Sequence, residues 1–271
     1  MHLQLGSRAL IMGILNVTPD SFSDGGRFLG AEAIGSQVKA LAEAGADIID
    51  VGGESSRPFA EAVSVEEELA RVLPAIRQIR KRSTIPISID TTKAEVAAKA
   101  LAAGADIIND ISALRFDPEM ASLVAKTEAP VIIMHMQGTP ADMQLDPHYN
   151  DVIAEIREFF RERLAWAATK GIEKKRFIID PGIGFGKTVA HNLTILKHLA
   201  DLQELGCPLL IGHSRKAFIG RLLGKEVDER DVATAAISAL CAAGGVSILR
   251  VHDVGMTVQA VRLAEAINNA A

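Results

Sequence analysis

Short apolar runs rich in β-branched residues recur along the chain, and each is followed by a stretch whose apolar residues return at helical spacing. The runs predict eight strands, at residues 9–15, 48–51, 85–89, 107–109, 131–134, 177–179, 209–211 and 246–251. The stretches between them predict helices, for example at 65–82, 152–170 and 231–243. Strand alternating with helix is typical of right-handed βαβ units and a parallel sheet.

Eight such units in a chain of 271 residues match the size of a TIM barrel, which usually takes about 250 residues. The pattern therefore predicts an α/β fold, a (β/α)8 TIM barrel in a single domain over residues 1–271, with its core at about 9–268. A doubly wound open sheet shows the same alternation of strand and helix, so it stays as the alternative.

A short sequence recurs where helices lead into strands. The segment LAEAGADIID at 41–50 resembles LAAGADIIND at 101–110, and AAGGVSILRVHD from Ala242 is a weaker third copy. Each copy has the pattern of a helix end, a glycine C-cap and a strand that ends in polar residues. Because the similarity is confined to these junctions, it indicates recurring units of one closed barrel and not a solenoid.

Polar or charged residues stand at the ends of the predicted strands, namely Asn16, Asp50, Asp90, Asn109, His135, Asp180, His213 and Arg250. In a TIM barrel the carboxyl ends of all strands meet at one mouth, where the active site lies. A single polar residue could merely end a strand. Eight of them around one ring predict that the mouth is the functional site.

Composition and charge narrow the function classes. Aromatic residues make up 4% of the chain, which favours helices packed on parallel strands over an aromatic-rich β sandwich. The net charge is −5, and Lys and Arg are scattered apart from 80–82 and 174–176, so no nucleic-acid partner is expected. An anionic substrate would therefore need a local cluster of positive charge.

Cysteine content and hydropathy indicate a soluble, cytoplasmic protein with no membrane partner. The two cysteines, Cys207 and Cys241, form neither a disulfide framework nor a metal-ligand pattern. The first ten residues lack a signal-peptide pattern, and no apolar run reaches the roughly 18 residues that a membrane-spanning helix needs.

The first loop after a strand reads LNVTPDSFSDGG, at 15–26. Its turn formers surround one apolar residue, Phe22, which taken alone would simply pack on a neighbouring helix. Asn16 stands at the tip of the strand, where its amide oxygen could coordinate a hard cation.

The second loop reads DVGGESSRP, at 50–58. Its two glycines let a ligand approach the backbone, and Ser55, Ser56 and Arg57 offer donors for phosphate oxygens. Taken in isolation, a glycine-rich turn with its arginine in solvent explains this loop equally well.

Two carboxylates and one amide, Asp90, Asn109 and Asp180, end three of the strands. In an apolar mouth they suit a heterocycle with several N–H donors, because a carboxylate accepts two parallel hydrogen bonds from an edge such as a pterin presents. A catalytic carboxylate pair, as in a glycosidase, is an alternative. Helix capping is another, most of all for Asp90.

The segment DPGIGFGKT at 180–188 resembles a nucleotide-binding loop only superficially. Pro181 stands where a Walker A motif requires glycine, and the glycines do not have GxGxxG spacing. We expect the glycines to bring backbone close to a flat ligand, with Phe185 packing on it.

Two further segments, GHSRK at 212–216 and RVHDV at 250–254, place basic side chains after the last two strands. The TIM barrel often binds phosphate at this point. The pattern therefore predicts an anion site there, while a basic surface cluster explains any one of these residues alone. The residues are Arg215, Lys216, Arg250 and His252.

These motifs together resemble those of the dihydropteroate synthase family, part of the pterin-binding TIM barrels. The matching segments, in family order, are LNVTPDSFSDGG, VGGESSRP, SIDT, INDI, IMHMQG, DPGIGFGK, SRK and RVHDV. They span residues 11–254, nearly the whole chain. The resemblance implies condensation of 6-hydroxymethyl-7,8-dihydropterin pyrophosphate with p-aminobenzoate, assisted by Mg²⁺, in a homodimeric enzyme of a family that sulfonamides target.

The resemblance also implies roles for individual residues, grouped by the part of the substrates they would meet. The pterin would contact Asp90, Asn109, Met134, Asp180, Phe185 and Lys216. Pyrophosphate would meet Asn16, through Mg²⁺, together with Arg250 and His252. The p-aminobenzoate side would involve Phe22, Ser56, Arg57, Pro58 and Ser214. The catalytic set would be Asp90, Lys216, Arg250 and His252.

The chain departs from the family pattern at Ser56, where members commonly have threonine, and His213 occupies a variable position. Serine keeps the hydroxyl and loses one methyl group, so the donor chemistry is retained. A corrinoid-linked methyltransferase with a similar pterin-binding barrel is the nearest alternative function, and a pterin-binding paralogue without turnover is another. Pyrophosphate release would distinguish the synthase from both.

Overall fold

The computed structural model describes residues 6, 8–17, 27–55 and 62–270 of the chain, with backbone alone for 27–32. Eight parallel strands form its sheet, and they lie in the order β6-β5-β4-β3-β2-β1-β8-β7. The strands are β1 Leu10–Asn16, β2 Ile48–Gly52, β3 Ile87–Asp90, β4 Ile107–Asp110, β5 Val131–Met134, β6 Phe177–Asp180, β7 Leu210–Ile211 and β8 Ile248–Val251.

The two ends of this sheet meet and close a barrel. The backbone N–H of Ile179 on β6 donates to the carbonyl of Pro208 at 3.0 Å, and Ile179 forms a parallel bridge with Leu209, just before β7. Closure of eight parallel strands confirms the predicted (β/α)8 TIM barrel and rules out the doubly wound open sheet.

Ten α-helices follow the strands within the described residues. They are α1 Arg27–Glu43, α2 Val65–Arg82, α3 Ala94–Ala103, α4 Pro118–Lys126, α5 Val152–Thr169, α6 Val189–Lys197, α7 Leu199–Gln203, α8 Ala217–Leu223, α9 Asp231–Ala243 and α10 Val254–Asn268. Local chemistry sets many of their ends. The Ser64 hydroxyl accepts from the N–H of Glu67 at the start of α2, and Gly104, with φ 113°, ends α3 in the left-handed conformation that favours glycine.

The hydrophobic core has two parts. One lies between the outer faces of the strands and the surrounding helices. The other fills the barrel and is called here the lower layer; its members are Leu10, Met12, Ile48, Ile107, Ile132, Ile178, Leu210 and Ile248. Because side chains alternate along a strand, the residue two positions later points the same way, one step nearer the mouth.

That next step is polar on several strands and is called here the mouth layer. It consists of Asp50, Asp90, Asn109, Asp180 and Arg250. Four of these follow a lower-layer residue by two positions on the same strand, whereas on β3 the residue before Asp90 in this series is the buried Ser88. The fold thus sets a polar ring directly above an apolar floor. Among the described helices, none has the length and apolar character needed to cross a membrane.

Candidate functional site

Strand pairing brings four residues of the mouth into one row. The register places Asn16 of β1 opposite Gly52 of β2, Gly52 opposite Asp90 of β3, and Asp90 opposite Asn109 of β4. Gly52 leaves room between its neighbours, since a Cβ there would lie 3.6 Å from Cβ of Asp90 and 3.9 Å from Oδ1 of Asn16. The tips of Asn16 and Asp90 therefore share one rim of the mouth.

Arg250 lies across this row and joins two carboxylates. Its Nε donates to Oδ2 of Asp50 at 2.6 Å, and its Nη2 donates to Oδ2 of Asp90 at 2.7 Å. Asn109 Nδ2 stands 3.4 Å from both carboxylate oxygens of Asp50. Asp50 is fully buried, so these partners compensate for the loss of its hydration. The sequence pattern had marked Asp50 as a strand end without giving it a role.

The carboxylates of the mouth have perturbed acidities. Burial raises the pKa of Asp90 to about 7, against the opposing effect of Arg250, and the charge of Asp50 raises it further. Burial likewise raises the pKa of Asp180 to about 6, although its Oδ1 accepts a 2.8 Å hydrogen bond from the N–H of Gly182. Both groups are thus poised to gain or lose a proton near neutrality, which is common in functional sites.

Lys216 and Phe185 form a second edge of the mouth. The Nζ of Lys216 lies 4.0 Å from the centre of the Phe185 ring, within the range of a cation–π contact. Burial, together with the positive charge of Arg250, lowers the pKa of Lys216 to about 8. The Phe185 ring belongs to an apolar wall with Met134, Met136 and Met143, on which Ile111 packs. Such a wall suits one face of a flat heterocycle.

The glycines of the 182–186 segment, named here the glycine loop, are required by close packing. Gly182, Gly184 and Gly186 all have positive φ, at 71°, 79° and 59°. A Cβ at Gly182 would lie 2.0 Å from the carbonyl oxygen of His135, and one at Gly186 would lie 2.7 Å from that of Gln137. The glycines therefore let this loop lie against the segment that follows β5. The predicted approach of this backbone to a flat ligand stays a prediction.

Ser214 and His252 connect the ends of β7 and β8. Oγ of Ser214 lies 2.9 Å from Nδ1 of His252 and accepts from the backbone N–H of His252 at 3.1 Å. Burial, with Arg215 and Arg250 nearby, lowers the pKa of His252 to about 4. His252 is therefore neutral at physiological pH, and it would meet an anion through an N–H group and not through a full positive charge.

Arg215 differs from the basic cluster that the sequence suggested. Its Nε and Nη2 donate to the two carboxylate oxygens of Asp231 at 2.7 and 2.6 Å. Its φ is 56°, a left-handed conformation that is unfavourable for a residue with a side chain. The pair with Asp231 directs this guanidinium toward the start of α9, so the cations that lie among the carboxylates of the mouth are Lys216 and Arg250.

The residues around Asn16 fit a magnesium ion that arrives with its substrate. Among the described residues, no group of three His, Cys, Asp or Glu side chains could hold a metal. One neutral amide oxygen beside the Asp90 carboxylate offers too few ligands for Mg²⁺, which commonly relies on substrate phosphates and retained water.

Several predicted residues fall outside the described part of the chain, namely Phe22, Ser56, Arg57 and Pro58. The other predicted site residues converge on the mouth. The sequence pattern predicts no role for Asp50, Ile111, His135 or Lys187, although Asp50 and His135 stand at predicted strand ends. Ile111 directly follows the polar strand end at Asn109 and Asp110, and an apolar residue at that place is a signal of a wall beside the site.

Comparison with known proteins places this geometry in context. The family model described as "Pterin binding enzyme" matches residues 12–252. The dihydropteroate synthase of Synechocystis sp. is 48% identical over 263 residues, which cover 97% of this chain and 91% of that protein. A crystal structure of Yersinia pestis dihydropteroate synthase with a sulfonamide drug complex has a TM-score of 0.93 and 42% identity, and covers 100% of both chains.

Another similar structure is the Xanthomonas albilineans dihydropteroate synthase with 4-aminobenzoic acid. It has a TM-score of 0.92 and 48% identity, covering 98% of this chain and 95% of that one. In each of these comparisons the similarity covers 97–100% of this chain.

Proposed function

Because this chain belongs to the pterin-binding enzymes, and among them to the dihydropteroate synthases, we propose that the barrel mouth described above divides the work of that reaction among its residues. The chain is a transferase of folate biosynthesis. It condenses 6-hydroxymethyl-7,8-dihydropterin pyrophosphate with p-aminobenzoate and releases pyrophosphate. What supports the division of work most directly is a set of three acceptors at the mouth, Asp90, Asn109 and Asp180, beside the cationic side chains of Lys216 and Arg250.

These three acceptors would bind the pterin. Asp180 and Asp90 would accept hydrogen bonds from its amino and ring N–H groups, and Asn109 can both donate and accept. The wall formed by Met134 and Phe185 would pack against the ring. Lys216, already seated over Phe185, would lie at the edge of the same pocket.

Pyrophosphate would lie at the rim that contains Asn16, Arg250 and His252. Arg250 has two of its N–H groups committed to Asp50 and Asp90, which fixes the plane of its guanidinium and leaves the remaining N–H groups for phosphate oxygens. Asn16 would hold Mg²⁺ together with the pyrophosphate oxygens. When bound, Mg²⁺ would neutralise charge on the leaving group.

The reaction then depends on electrostatics and positioning. The C–O bond to pyrophosphate breaks, and the p-aminobenzoate nitrogen forms a C–N bond to the same methylene carbon before it loses a proton. Positive charge grows near the pterin in the transition state, where ionised Asp180 and Asp90 would stabilise it. Phe22, Ser56, Arg57, Pro58 and Ser214 would contact p-aminobenzoate and exclude water.

We also propose that the enzyme is a homodimer, in a cytoplasmic setting, with each chain forming one pterin-binding domain. An apolar groove of about 730 Å³ lies between α6, α8 and α9. Val232 and Leu240 on α9 are 71% and 73% exposed, so a second copy would cover a sizeable apolar area. Leu240→Asp should give a monomer in analytical ultracentrifugation. Leu263→Asp, at a site that is 64% exposed on α10, is the matched control and should leave the dimer intact.

Pyrophosphate release tests the function itself. The protein is mixed with both substrates and Mg²⁺, and pyrophosphate is measured against reactions that lack p-aminobenzoate. We expect release that requires both substrates and that falls sharply when Mg²⁺ is chelated. Release without p-aminobenzoate, or no release at all from protein that binds the pterin, would contradict the assignment.

A further inference from the structure

Lys187 is a buried lysine that has no assigned role in the proposed reaction. It ends the DPGIGFGK segment, and only 3% of its surface is exposed. Charged lysines are rarely buried this deeply unless their three N–H donors are satisfied.

The ammonium group of Lys187 has three acceptors around it. Its Nζ lies 2.9 Å from the carbonyl oxygen of Phe185, 3.4 Å from that of His135, and 3.1 Å from Nδ1 of His135. Burial, followed by the charges of Lys187 and Arg115, lowers the pKa of His135 to about 2. His135 is therefore neutral, and its Nδ1 is free to accept if the ring proton sits on Nε2. Three donors thus meet three acceptors.

These contacts join the two sides of the pterin pocket. His135 directly follows Met134, and Phe185 faces Met134 across the same apolar wall. The Phe185 ring in turn holds the ammonium of Lys216. Tyr149 adds a second tie, since its Oη donates to the carbonyl of Gly186 at 2.9 Å. Lys187 therefore fixes the glycine loop on which Phe185 stands.

Lys187 also contributes charge to the pocket. The positive charges of Lys216, Lys187 and Arg250 all lower the pKa of Asp180, against the rise that burial causes. In return, burial lowers the pKa of Lys187 to about 7, the charge of Lys216 lowers it too, and Asp180 opposes both. The other titratable groups near Lys187 are His135, Tyr149 and His191.

We propose that Lys187 is a positioning residue of the pterin pocket, which ties the glycine loop to the end of β5 and keeps Asp180 ionised for pterin recognition. This inference rests on the proposed role of Asp180. Lys187 acts through Phe185 and Asp180, and its own Nζ is committed to backbone and imidazole acceptors.

The test measures binding of 6-hydroxymethylpterin, without pyrophosphate, to the full-length protein by calorimetry between pH 5 and pH 9. Wild-type affinity should fall in two steps, as Asp90 becomes protonated below about pH 7 and Asp180 below about pH 6, and the Asp180 step is the one that Lys187 affects. In Lys187→Met the Asp180 step should lie about one pH unit higher, so affinity should drop roughly fivefold at pH 6 and nearly tenfold at pH 5, beyond any constant loss. At pH 9 the two proteins should differ least. Lys126→Met, at an exposed site on α4, is the matched control and should behave as wild type.

Two further variants separate charge from geometry. Lys187→Gln keeps a donor for the Phe185 carbonyl without the charge, so it should shift the pH profile as Lys187→Met does. His135→Gln leaves the charge in place and disturbs one acceptor, so it should weaken binding by a similar factor at every pH. His135→Gln also tests the tie to β5 if the Lys187 variants do not fold. Normal pterin affinity of His135→Gln would then show that the contact between Lys187 and the end of β5 does not position the pocket.

The outcomes distinguish this inference from the proposed function. If Lys187→Met loses the same factor at all pH values, or nothing, the electrostatic role is wrong. If wild-type protein itself does not bind the pterin, or binds with no dependence on pH near 6, the role of Asp180 fails first. Circular dichroism and thermal unfolding of each variant show whether the folded barrel is being compared.

Discussion

The lower layer and the mouth layer of the barrel are built on the same strands, two residues apart, yet they do opposite work. On β2, Ile48 belongs to the first and Asp50 to the second; on β6 the corresponding residues are Ile178 and Asp180. All four are less than 9% exposed. Burial alone stabilises the isoleucines, by roughly 1.5–3 kcal/mol each. Burial of the aspartates is unfavourable unless partners compensate for it.

This difference shows that the lower layer stabilises the fold, whereas the buried carboxylates of the mouth layer reduce its stability. The lower layer needs no specific partner, so its residues can be exchanged for others of similar volume. The carboxylates of the mouth layer are compensated by Arg250, Lys216 and backbone N–H groups, and even so the pKa values of Asp90 and Asp180 stay raised. The same unfavourable burial leaves their carboxylates ready to bind a ligand rich in N–H donors. Matched substitutions on one strand can test this view.

The largest effect should come from β2. Asp50→Ala removes the partner of Arg250 Nε and leaves a guanidinium that is 22% exposed short of one acceptor. We expect a loss of about 3 kcal/mol in the free energy of unfolding, measured in urea, and a lower pterin affinity because Arg250 keeps only Asp90 and Asn109 loses its contact with Asp50. Ile48→Ala should lose about 2–5 kcal/mol of stability but bind pterin normally while folded. Equal effects of both variants on binding would refute the division into layers.

The second comparison, on β6, concerns recognition more than stability. Asp180→Asn removes the charge and presents an NH₂ group where the pterin also presents donors. We expect pterin binding to weaken by about 2–4 kcal/mol, even without p-aminobenzoate. Ile178→Val should cost about 1 kcal/mol of stability and leave affinity unchanged. Normal pterin binding by Asp180→Asn, seen in a titration with pterin alone, would show that the pocket is assigned to the wrong residues.

The sequence predicted most of the framework, because the framework depends on local patterns. The helix at 65–82 and the strand at 131–134 have the predicted bounds. The strand predicted at 85–89 begins later, at Ile87, since Pro86 has no N–H to donate to the sheet. The strand predicted at 246–251 begins at Ile248, because the N–H of Val246 still bonds to Cys241 in the last turn of α9.

The site was predictable in outline and not in its pairings. Polar residues at strand ends mark the mouth in any parallel barrel, so Asp90, Asn109 and Asp180 could be found from sequence. The pairing of Asp50 with Arg250 joins positions 200 residues apart and leaves no local signal. The same holds for Lys187, which follows three glycines and looks like an exposed loop residue until the packing against His135 is known.

A smaller effect on stability is expected from the pair of Arg215 and Asp231, at the start of α9. Arg215 adopts its left-handed conformation because Asp231 holds the side chain and Thr234 Oγ1 accepts from its backbone N–H. Asp231→Ala should destabilise the SRK turn by about 1–2 kcal/mol and raise the KM for p-aminobenzoate, with pterin affinity little changed. Arg215→Gly in the Asp231→Ala background should restore part of the stability, since glycine accepts this φ without strain. Failure of that rescue would mean that strain at residue 215 is not what Asp231 offsets.

The smallest effect should come from Ser214, which is buried after the end of β7 beside His252, between the proposed pyrophosphate and p-aminobenzoate sites. Ser214→Ala removes one donor near the expected position of the p-aminobenzoate carboxylate, so the KM for p-aminobenzoate should rise severalfold, or by about 1 kcal/mol, while pterin affinity persists.

The structure adds a second consequence to this variant. The hydroxyl of Ser214 also contacts Nδ1 of His252 and accepts from its backbone N–H, so its loss should loosen the histidine ring and slightly weaken pyrophosphate binding. Ser214→Cys keeps a weak donor at the same place and should lie between wild type and alanine in both measurements. Steady-state kinetics with varied p-aminobenzoate, together with a pyrophosphate titration, give the two values. Loss of pterin binding in Ser214→Ala would place this residue in the pterin pocket and so contradict its assignment to p-aminobenzoate.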